Sequence, residues 1–246
     1  MKLSALNPSE KKKILAYGLS GAGKTVFACS FPGLIWVADF DGKISSAASF
    51  YAGTSQLEVI DYDNFSGKGD FKAFWKRFVE LREAAKKPES FPYKTVVLDS
   101  ITTFSASLMN EVMAQNPGDE SKRSHVSDTT VPHLKDYQIA ISHIKNTITT
   151  ILSWPCNVIM IAHLQIDKDE FTGEILRQPM IFGKDLPGWL PMVFEEVYYC
   201  SVQAGEGKNP FRYIGQARGP KYVCRTQLRN LPATFDLGYE NLKKYF

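Results

Sequence analysis

The sequence has few cysteines and no long apolar run, and both absences narrow the class of protein. Four cysteines are scattered through 246 residues without a C-x-x-C pair, so neither a disulfide framework nor a zinc site is expected. The first residues lack the apolar core of a signal peptide, and no run approaches the roughly 18 apolar residues of a membrane helix. We therefore expect a cytoplasmic protein with reduced thiols and no membrane segment.

An excess of charge of one sign is also lacking. Lysine and arginine together exceed the acids by only three, a balance that neither requires nor excludes a nucleic-acid partner. The clustered arginines that the lid of a nucleoside or nucleotide kinase would need are not found either. What the chain does have is 44% hydrophobic and 13% aromatic residues, enough for a substantial core. We expect a single domain over residues 1–246, with residues 1–11 as an extension.

Short apolar runs alternate with helical patterns along the chain, which predicts an α/β fold with helices flanking a mainly parallel sheet. A helix is predicted after Asp70, where an aromatic stripe at helical spacing favours a core face over a base-stacking platform, and another over Leu134–Leu152. The polar stretch 116–131 is predicted to be a mobile loop. The predicted strands are Lys13–Tyr17, Leu34–Ala38, Leu57–Ile60, Thr95–Leu98, Val158–Ala162 and Val197–Val202, then Phe211–Gly215 and Tyr222–Thr226 as an antiparallel β-meander.

A short motif near the start of the chain carries the clearest chemistry. Residues 18–25, GLSGAGKT, match the G-x-x-x-x-G-K-[ST] pattern of the P-loop, which holds the phosphates of a nucleoside triphosphate. The glycines let backbone N–H groups point at phosphate oxygens, the lysine reaches the β- and γ-phosphates, and the threonine hydroxyl can ligate Mg²⁺. The predicted nucleotide-binding residues are Gly18, Ser20, Gly21, Ala22, Gly23, Lys24 and Thr25.

A carboxylate that completes a magnesium site is predicted at Asp99. It ends the strand-forming run Thr95–Leu98, as in the Walker B pattern, and the carboxyl end of that strand would lie beside the P-loop. The alternative role for Asp99 is the N-cap of the following helix. The next residue is Ser100, whereas many P-loop ATPases have Glu there to orient water, so a water-orienting acid must come from elsewhere.

Two further strand ends supply candidates for the remaining roles. Asp39 and Asp41 follow the strand Leu34–Ala38, and either could face the γ-phosphate, unless these acids only form a turn. His163 follows the strand Val158–Ala162, at the edge of the sheet where α/β proteins gather ligand contacts. It is either a structural residue or a sensor that hydrogen-bonds the γ-phosphate or the attacking water.

Four elements resemble the core of RecA-type ATPases when they are taken in chain order. They are the P-loop, the strand before Asp39 and Asp41, the strand that ends at Asp99, and the strand before His163. More narrowly, the chain resembles the small phage-encoded RecA-like proteins that include the Sak-type single-strand annealing ATPases. RecA-like proteins take the water-activating acid from the end of the strand that follows the P-loop helix. The resemblance therefore assigns this role to Asp41, with Asp39 as a rival. It assigns the sensor role to His163, where RecA commonly has Gln. The features that carry it are the early P-loop, VVLDSI at 96–101, AH at 162–163, FEEVY at 194–198 and RNLP at 229–232.

The resemblance implies a Mg²⁺-dependent ATPase that acts in phage DNA recombination by binding or annealing single-stranded DNA. A single-strand-binding protein is a further expected partner. The DNA-binding loops would be 116–131 and 165–185. The alternative is that their charged residues are ordinary solvated surface. The candidate cations and aromatics in these loops are Lys122, Arg123, Lys168, Arg177, Lys184, Phe171 and Phe182. In a homo-oligomer, a cation could reach a neighbour's γ-phosphate, and the candidates are Lys221, Arg225 and Arg229.

Two other functions stay open at this point. One is a nucleotide-switched loader or scaffold that hydrolyses slowly and acts through a protein partner. The other is a P-loop nucleoside or nucleotide kinase, which the lack of a lid-like arginine cluster disfavours.

Overall fold

The structure is a computed structural model that describes residues 11–67, 70–115, 125–126, 129–168, 173–205 and 211–246. The strands are β1 (Lys13–Gly18), β2 (Ile35–Asp39), β3 (Ile60–Asn64), β4 (Thr95–Asp99), β5 (His125–Val126), β6 (Thr129–Thr130), β7 (Asn157–Lys168), β8 (Ile175–Met180), β9 (Glu196–Ala204), β10 (Phe211–Gln216) and β11 (Thr234–Asp236). The α-helices are α1 (Lys24–Ala28), α2 (Ser45–Phe50), α3 (Phe71–Ala84), α4 (Ile101–Gln115), α5 (Leu134–Leu152), α6 (Leu186–Trp189) and α7 (Tyr239–Leu242).

One large sheet contains every described strand except β5 and β6, which form a small hairpin of their own. Its order is β11-β10-β9-β1-β7-β4-β2-β3, and β8 pairs with the outer part of β7. Neighbours from β9 to β3 run parallel, whereas β8, β10 and β11 are antiparallel to their partners. The predicted α/β class, with a mainly parallel sheet and a C-terminal antiparallel meander, is confirmed.

Alternate residues of the central strands face two hydrophobic cores, one on each side of the sheet. Leu15 and Tyr17 of β1 contribute to the larger core, together with the buried faces of α3, α4 and α5. Ile14 and Ala16 contribute to the other core, together with α1, α2 and the C-terminal segment. Because both faces of these strands are covered, each reads in the sequence as a continuous apolar run.

The two long predicted helices are present. The stripe on α3 is buried in the larger core, which confirms its prediction as a core face; its members are Phe71, Phe74, Phe78 and Leu81. Asp70 is the N-cap residue of α3 as predicted, but its carboxylate accepts the N–H of Gly67 and makes no capping hydrogen bond to the helix. α5 spans Leu134–Leu152 as predicted. No helix in the described part of the chain is long and apolar enough to cross a membrane.

The predicted position of the third strand of the meander, Tyr222–Thr226, is wrong. Thr234–Asp236 pairs with β10, whereas Tyr222–Thr226 makes only isolated bridges to β8 and β9. β10 leaves the edge of β9 at Tyr199, and Arg225 takes the vacated place by exchanging two backbone hydrogen bonds with Val197. The residues of Tyr222–Thr226 are strand-like, so the sequence alone does not show that this segment forms isolated bridges and no continuous strand.

Two other predicted segments also differ. Leu57–Val59 forms a 3₁₀ turn and the strand follows it as β3, a half-exposed edge strand whose sequence, IDYDN, lacks the apolar run of a buried strand. The predicted loop 165–185 is instead largely an antiparallel hairpin of β7 and β8, since β7 continues to Lys168 beyond the main sheet. Most of the predicted loop 116–131 lies outside the described residues.

Candidate active site

The P-loop leaves the end of β1 in a conformation that only glycine allows. Gly18 pairs with Cys200 of β9, and a Cβ on Gly18 would lie 2.2 Å from the Cys200 carbonyl oxygen. Gly21 and Gly23 have φ of 80° and 77°, in the left-handed region that other residues rarely adopt. Helix α1 then begins at Lys24. The sequence therefore folds here into a tight loop followed by a helix N-terminus, as the motif predicts.

Lys24 is buried against the loop that carries it. Its Nζ donates hydrogen bonds to the carbonyl oxygens of Gly18, at 3.0 Å, and Leu19, at 2.7 Å. Burial lowers the pKa of Lys24, while the nearby carboxylates of Asp99 and Asp41 partly offset this effect. A cation whose partners are neutral carbonyls can exchange them for a phosphate oxygen at little cost, because the phosphate is the stronger acceptor.

Thr25 and Asp99 are in direct contact. The Thr25 Oγ1 donates to Oδ2 of Asp99 at 2.5 Å, and Asp99 is almost fully buried at the end of β4. Burial raises the pKa of Asp99 to about 6. The alternative N-cap role belongs to Ser100 instead, whose Oγ accepts the N–H of Thr103 at 3.3 Å. A hydroxyl and a carboxylate beside a phosphate-binding loop are the oxygen donors that Mg²⁺ takes.

Asp39 and Asp41 have different surroundings, although the sequence left them as rivals. Strand β2 ends at Asp39, which is fully buried. Its carboxylate accepts four backbone N–H groups, from Asp41, Gly42, Lys43 and Ile44. A carboxylate occupied in this way holds the turn after β2 in shape, so Asp39 has a structural place.

Asp41 lies at the pocket and is bonded by side chains. His163 Nε2 lies 2.9 Å from Asp41 Oδ2, and Asp41 Oδ1 accepts hydrogen bonds from the hydroxyls of Ser100, at 2.8 Å, and Thr103. Burial raises the pKa of Asp41, but these three hydrogen bonds outweigh burial, and the pKa lies well below its usual range. Asp41 is therefore an ionised carboxylate at neutral pH.

Sheet register explains how two residues so distant in sequence meet. Asp39, Asp99 and Ile161 lie side by side on β2, β4 and β7. Asp41 and His163 are each two residues beyond this row, so they meet over the point where β4 ends and the chain turns into α4. His163 also pairs with Gly18 on the other side of β7, which places it beside the start of the P-loop.

A single pocket of about 400 Å³ unites these groups. The P-loop forms one part of its wall, and Asp41, Asp99 and His163 form an adjoining part. Several further lining residues were not predicted from the sequence: Lys43 from the turn before α2, Ser45, Ser46 and Ser49 from α2, and Tyr213 from β10. Among the described residues, no cluster of three or more His, Cys, Asp or Glu forms a metal site on its own.

The structure separates the other predicted residues from this pocket. Phe182 packs against Tyr137 beside the larger core, and the guanidinium of Arg177 lies 5.3 Å from the Tyr222 ring. Arg225 donates to the carbonyl of Met192. None of the predicted finger residues Lys221, Arg225 and Arg229 lines the pocket as far as the chain is described. Lys122, Arg123 and Phe171 lie outside the described residues.

A P-loop and an acid-lined pocket at the carboxyl ends of parallel strands define a P-loop ATPase. Residues 10–230 match the AAA_24 family of AAA domains, and the chain belongs to that family. No curated protein matches the sequence. The roles of the individual site residues stay predictions, as does the narrower relation to the Sak-type phage proteins.

Solved structures with similar folds have low sequence identity to the chain. An ATPase from the type III secretion system of pathogenic bacteria is 13% identical, with a TM-score of 0.45 over 77% of this chain and 52% of that one. The chain thus spans about half the length of that protein. A KaiC-like protein of Pyrococcus horikoshii OT3 is 11% identical, with a TM-score of 0.48 over 92% of this chain and 84% of that one. The flagellar accessory protein FlaH from Methanocaldococcus jannaschii is 10% identical, with a TM-score of 0.42 over 94% and 86%.

Proposed function

We propose that this ATPase hydrolyses ATP with Asp41 as the group that orients water and His163 as the group that responds to the γ-phosphate. The observation that carries this proposal is the hydrogen-bonded pair of Asp41 and His163 in the pocket that Lys24 and Thr25 also line. An ionised carboxylate can accept a hydrogen bond from a water molecule and so orient the oxygen of that water towards the γ-phosphorus. When the γ-phosphate leaves, the imidazole of His163 would lose that hydrogen bond and keep its contact with Asp41.

Mg²⁺ would be held by Thr25 and Asp99, with phosphate oxygens of the nucleotide completing its shell. When bound, the cation neutralises charge on the β- and γ-phosphates. The two side chains already touch each other, so they converge on one point beside the P-loop. Phosphate release measured with Mg²⁺ and with excess EDTA tests this part, and equal rates in the two solutions would contradict it.

Beyond ATP hydrolysis, we propose that the protein binds or anneals single-stranded DNA in phage recombination. The hairpin of β7 and β8 supports it, because His163 is the first residue of β7 that pairs with β8. The N–H of His163 donates to the Thr102 hydroxyl, which in turn donates to the Met180 carbonyl at 2.6 Å. A change at His163 therefore reaches the hairpin, which carries Lys168 and Arg177.

A salt titration of single-stranded DNA binding, with and without a non-hydrolysable ATP analogue, tests the DNA role. We expect binding that depends on nucleotide and weakens steeply with salt. The exposed Lys168→Ala should weaken binding and lower the slope by about one, since it removes one phosphate contact. Lys76→Ala, an exposed lysine on α3, is the matched control and should change nothing. Binding that ignores nucleotide and salt would contradict the proposal.

A nucleotide-switched loader or scaffold is the second candidate, and one observation favours it. The hairpin exposes apolar side chains of the kind that contact protein partners, namely Ile166, Ile175, Leu176 and Met180. ATP turnover measured with and without single-stranded DNA separates the two functions. Strong stimulation supports recombination, whereas slow turnover that DNA leaves unchanged supports the loader. The proposed DNA function includes a homo-oligomer. In it, Lys221, Arg225 or Arg229 would reach the nucleotide of a neighbouring subunit.

A further inference from the structure

The two carboxylate oxygens of Asp41 have different partners. Oδ1 accepts hydrogen bonds from two hydroxyls, those of Ser100, at 2.8 Å, and Thr103. Oδ2 lies 2.9 Å from Nε2 of His163, which is its one partner among the described residues. Each oxygen of an ionised carboxylate offers about two positions at which it can accept a hydrogen bond. Both positions on Oδ1 are therefore taken, whereas one position on Oδ2 is left.

The two hydroxyls approach Asp41 from the helix and not from the pocket. Ser100 directly precedes α4 and Thr103 lies in its first turn, and neither residue lines the pocket. Asp41 and His163 both line it. The Asp41 side chain is only 7% exposed, so little of its carboxylate is open to water. The acceptor position that is left on Oδ2 is therefore the one beside His163, at the pocket.

Ser100 and Thr103 are also fixed with respect to each other. The Ser100 Oγ accepts the N–H of Thr103 at 3.3 Å, and the two hydroxyl oxygens lie 3.3 Å apart. A hydroxyl has only one proton to donate, and both residues donate it to Asp41. Because the start of α4 carries both donors, the Asp41 carboxylate cannot exchange its two oxygens by rotation without breaking two hydrogen bonds.

We propose that Ser100 and Thr103 are positioning residues for ATP hydrolysis, because they occupy Oδ1 of Asp41 and leave Oδ2 as the single acceptor for the attacking water. This inference rests on the proposed function, since it requires that Asp41 orients the water. An acceptor confined to one position holds the water in one orientation, which brings its oxygen to the γ-phosphorus more often. Ser100 stands where many P-loop ATPases have Glu, and it contributes by holding an acid from another segment.

Thr103→Val tests the proposal, because valine keeps the shape of the side chain and removes its hydroxyl. The change frees an acceptor position on Oδ1, so we expect kcat for ATP hydrolysis to fall about fivefold while KM and nucleotide affinity are unchanged. Thr103→Ser restores the hydroxyl and should restore most of the rate. Thr150→Val is the matched control, since the Thr150 hydroxyl donates to the Asn146 carbonyl within α5 and Thr150 does not line the pocket. Ser100→Ala is a poorer test, because it also removes the hydrogen bond that caps α4.

A double-mutant cycle with Asp41→Asn separates a role through Asp41 from a general effect on the fold. If Thr103 acts through the Asp41 carboxylate, Thr103→Val should slow the wild type about fivefold and change the Asp41→Asn protein little. Equal losses of rate in the two backgrounds would overturn the inference. So would an unchanged rate in Thr103→Val, or a Thr103→Ser protein that is as slow as Thr103→Val. An Asp41→Asn protein that hydrolyses ATP as the wild type does would instead contradict the proposed function, and the inference with it.

Discussion

The two walls of the pocket are built in different ways. The P-loop wall, residues 18–25, is one continuous segment, and its shape comes from the backbone of its glycines. The acid wall is assembled from three separate segments: Asp41 follows the end of β2, Asp99 ends β4, and His163 lies within β7 where its parallel pairing with β1 ends. The first wall offers backbone N–H groups and one lysine, whereas the second offers side chains of which Asp41 and His163 contact each other.

This difference determines which single substitutions test each part of the pocket wall. In the P-loop wall, we expect backbone N–H groups to make most of the phosphate contacts, and Lys24 is the one charged side chain of residues 18–25. After β2, the carboxylates of Asp39 and Asp41 have unrelated surroundings although one residue separates them, and only Asp41 lines the pocket. Asp39 is bonded by backbone and Asp41 by side chains, so the same substitution at the two positions should have opposite consequences.

The largest expected effect is that of Lys24→Ala on the P-loop wall. Removing the cation that is buried beside the loop should abolish ATP turnover, because nothing else on this wall neutralises the β- and γ-phosphates. Phosphate release by the purified variant is the measurement. Lys43→Ala is the control, since Lys43 is an exposed lysine that lines the same pocket. Unchanged turnover in Lys24→Ala would show that the site is misplaced.

Asp41→Asn comes next and acts on the acid wall. Hydrolysis should fall about 100-fold while nucleotide binding is retained, because the amide keeps the shape of the side chain but loses its charge. Single-turnover hydrolysis and nucleotide affinity, measured on the same preparation, separate the two effects. A matching loss of affinity would mean that Asp41 binds the nucleotide and has no specific part in hydrolysis.

His163→Ala should have a smaller effect, a fall in hydrolysis of about tenfold, because Asp41 keeps its bonds to Ser100 and Thr103. His163→Gln retains a donor that can reach Asp41 and should lie between the wild type and His163→Ala. His143→Ala, on the exposed face of α5, serves as the control. If His163→Gln were as slow as His163→Ala, a hydrogen bond to Asp41 would not be the role of this side chain.

The smallest effect on hydrolysis is expected for Asp39→Asn, which instead lowers stability. The amide group would face the N–H of Ile44 without an acceptor, at a cost of about 2 kcal/mol in the free energy of unfolding. Urea denaturation measures this cost. The folded fraction should hydrolyse ATP almost as the wild type does. A normal stability together with lost hydrolysis would exchange the roles assigned to Asp39 and Asp41.

Much of the fold followed from patterns in the sequence. The central strands are continuous apolar runs and α5 has regular helical spacing, so their positions were predicted within a few residues. The edges of the sheet were not predicted as well. β3 is polar and half-exposed, and Tyr222–Thr226 has strand-like residues but pairs through isolated bridges. Edge segments depend on what lies beside them, which no local pattern records.

The sequence by itself determined the P-loop, because eight consecutive residues contain both the glycines that permit its conformation and the lysine that is predicted to bind phosphate. It also singled out Asp99 and His163, because each follows a continuous apolar run. Only the tertiary structure distinguished Asp41 from Asp39, and only it brought Tyr213 onto the P-loop. The physical reason is that register between strands decides which side chains meet, and register is a property of the whole sheet.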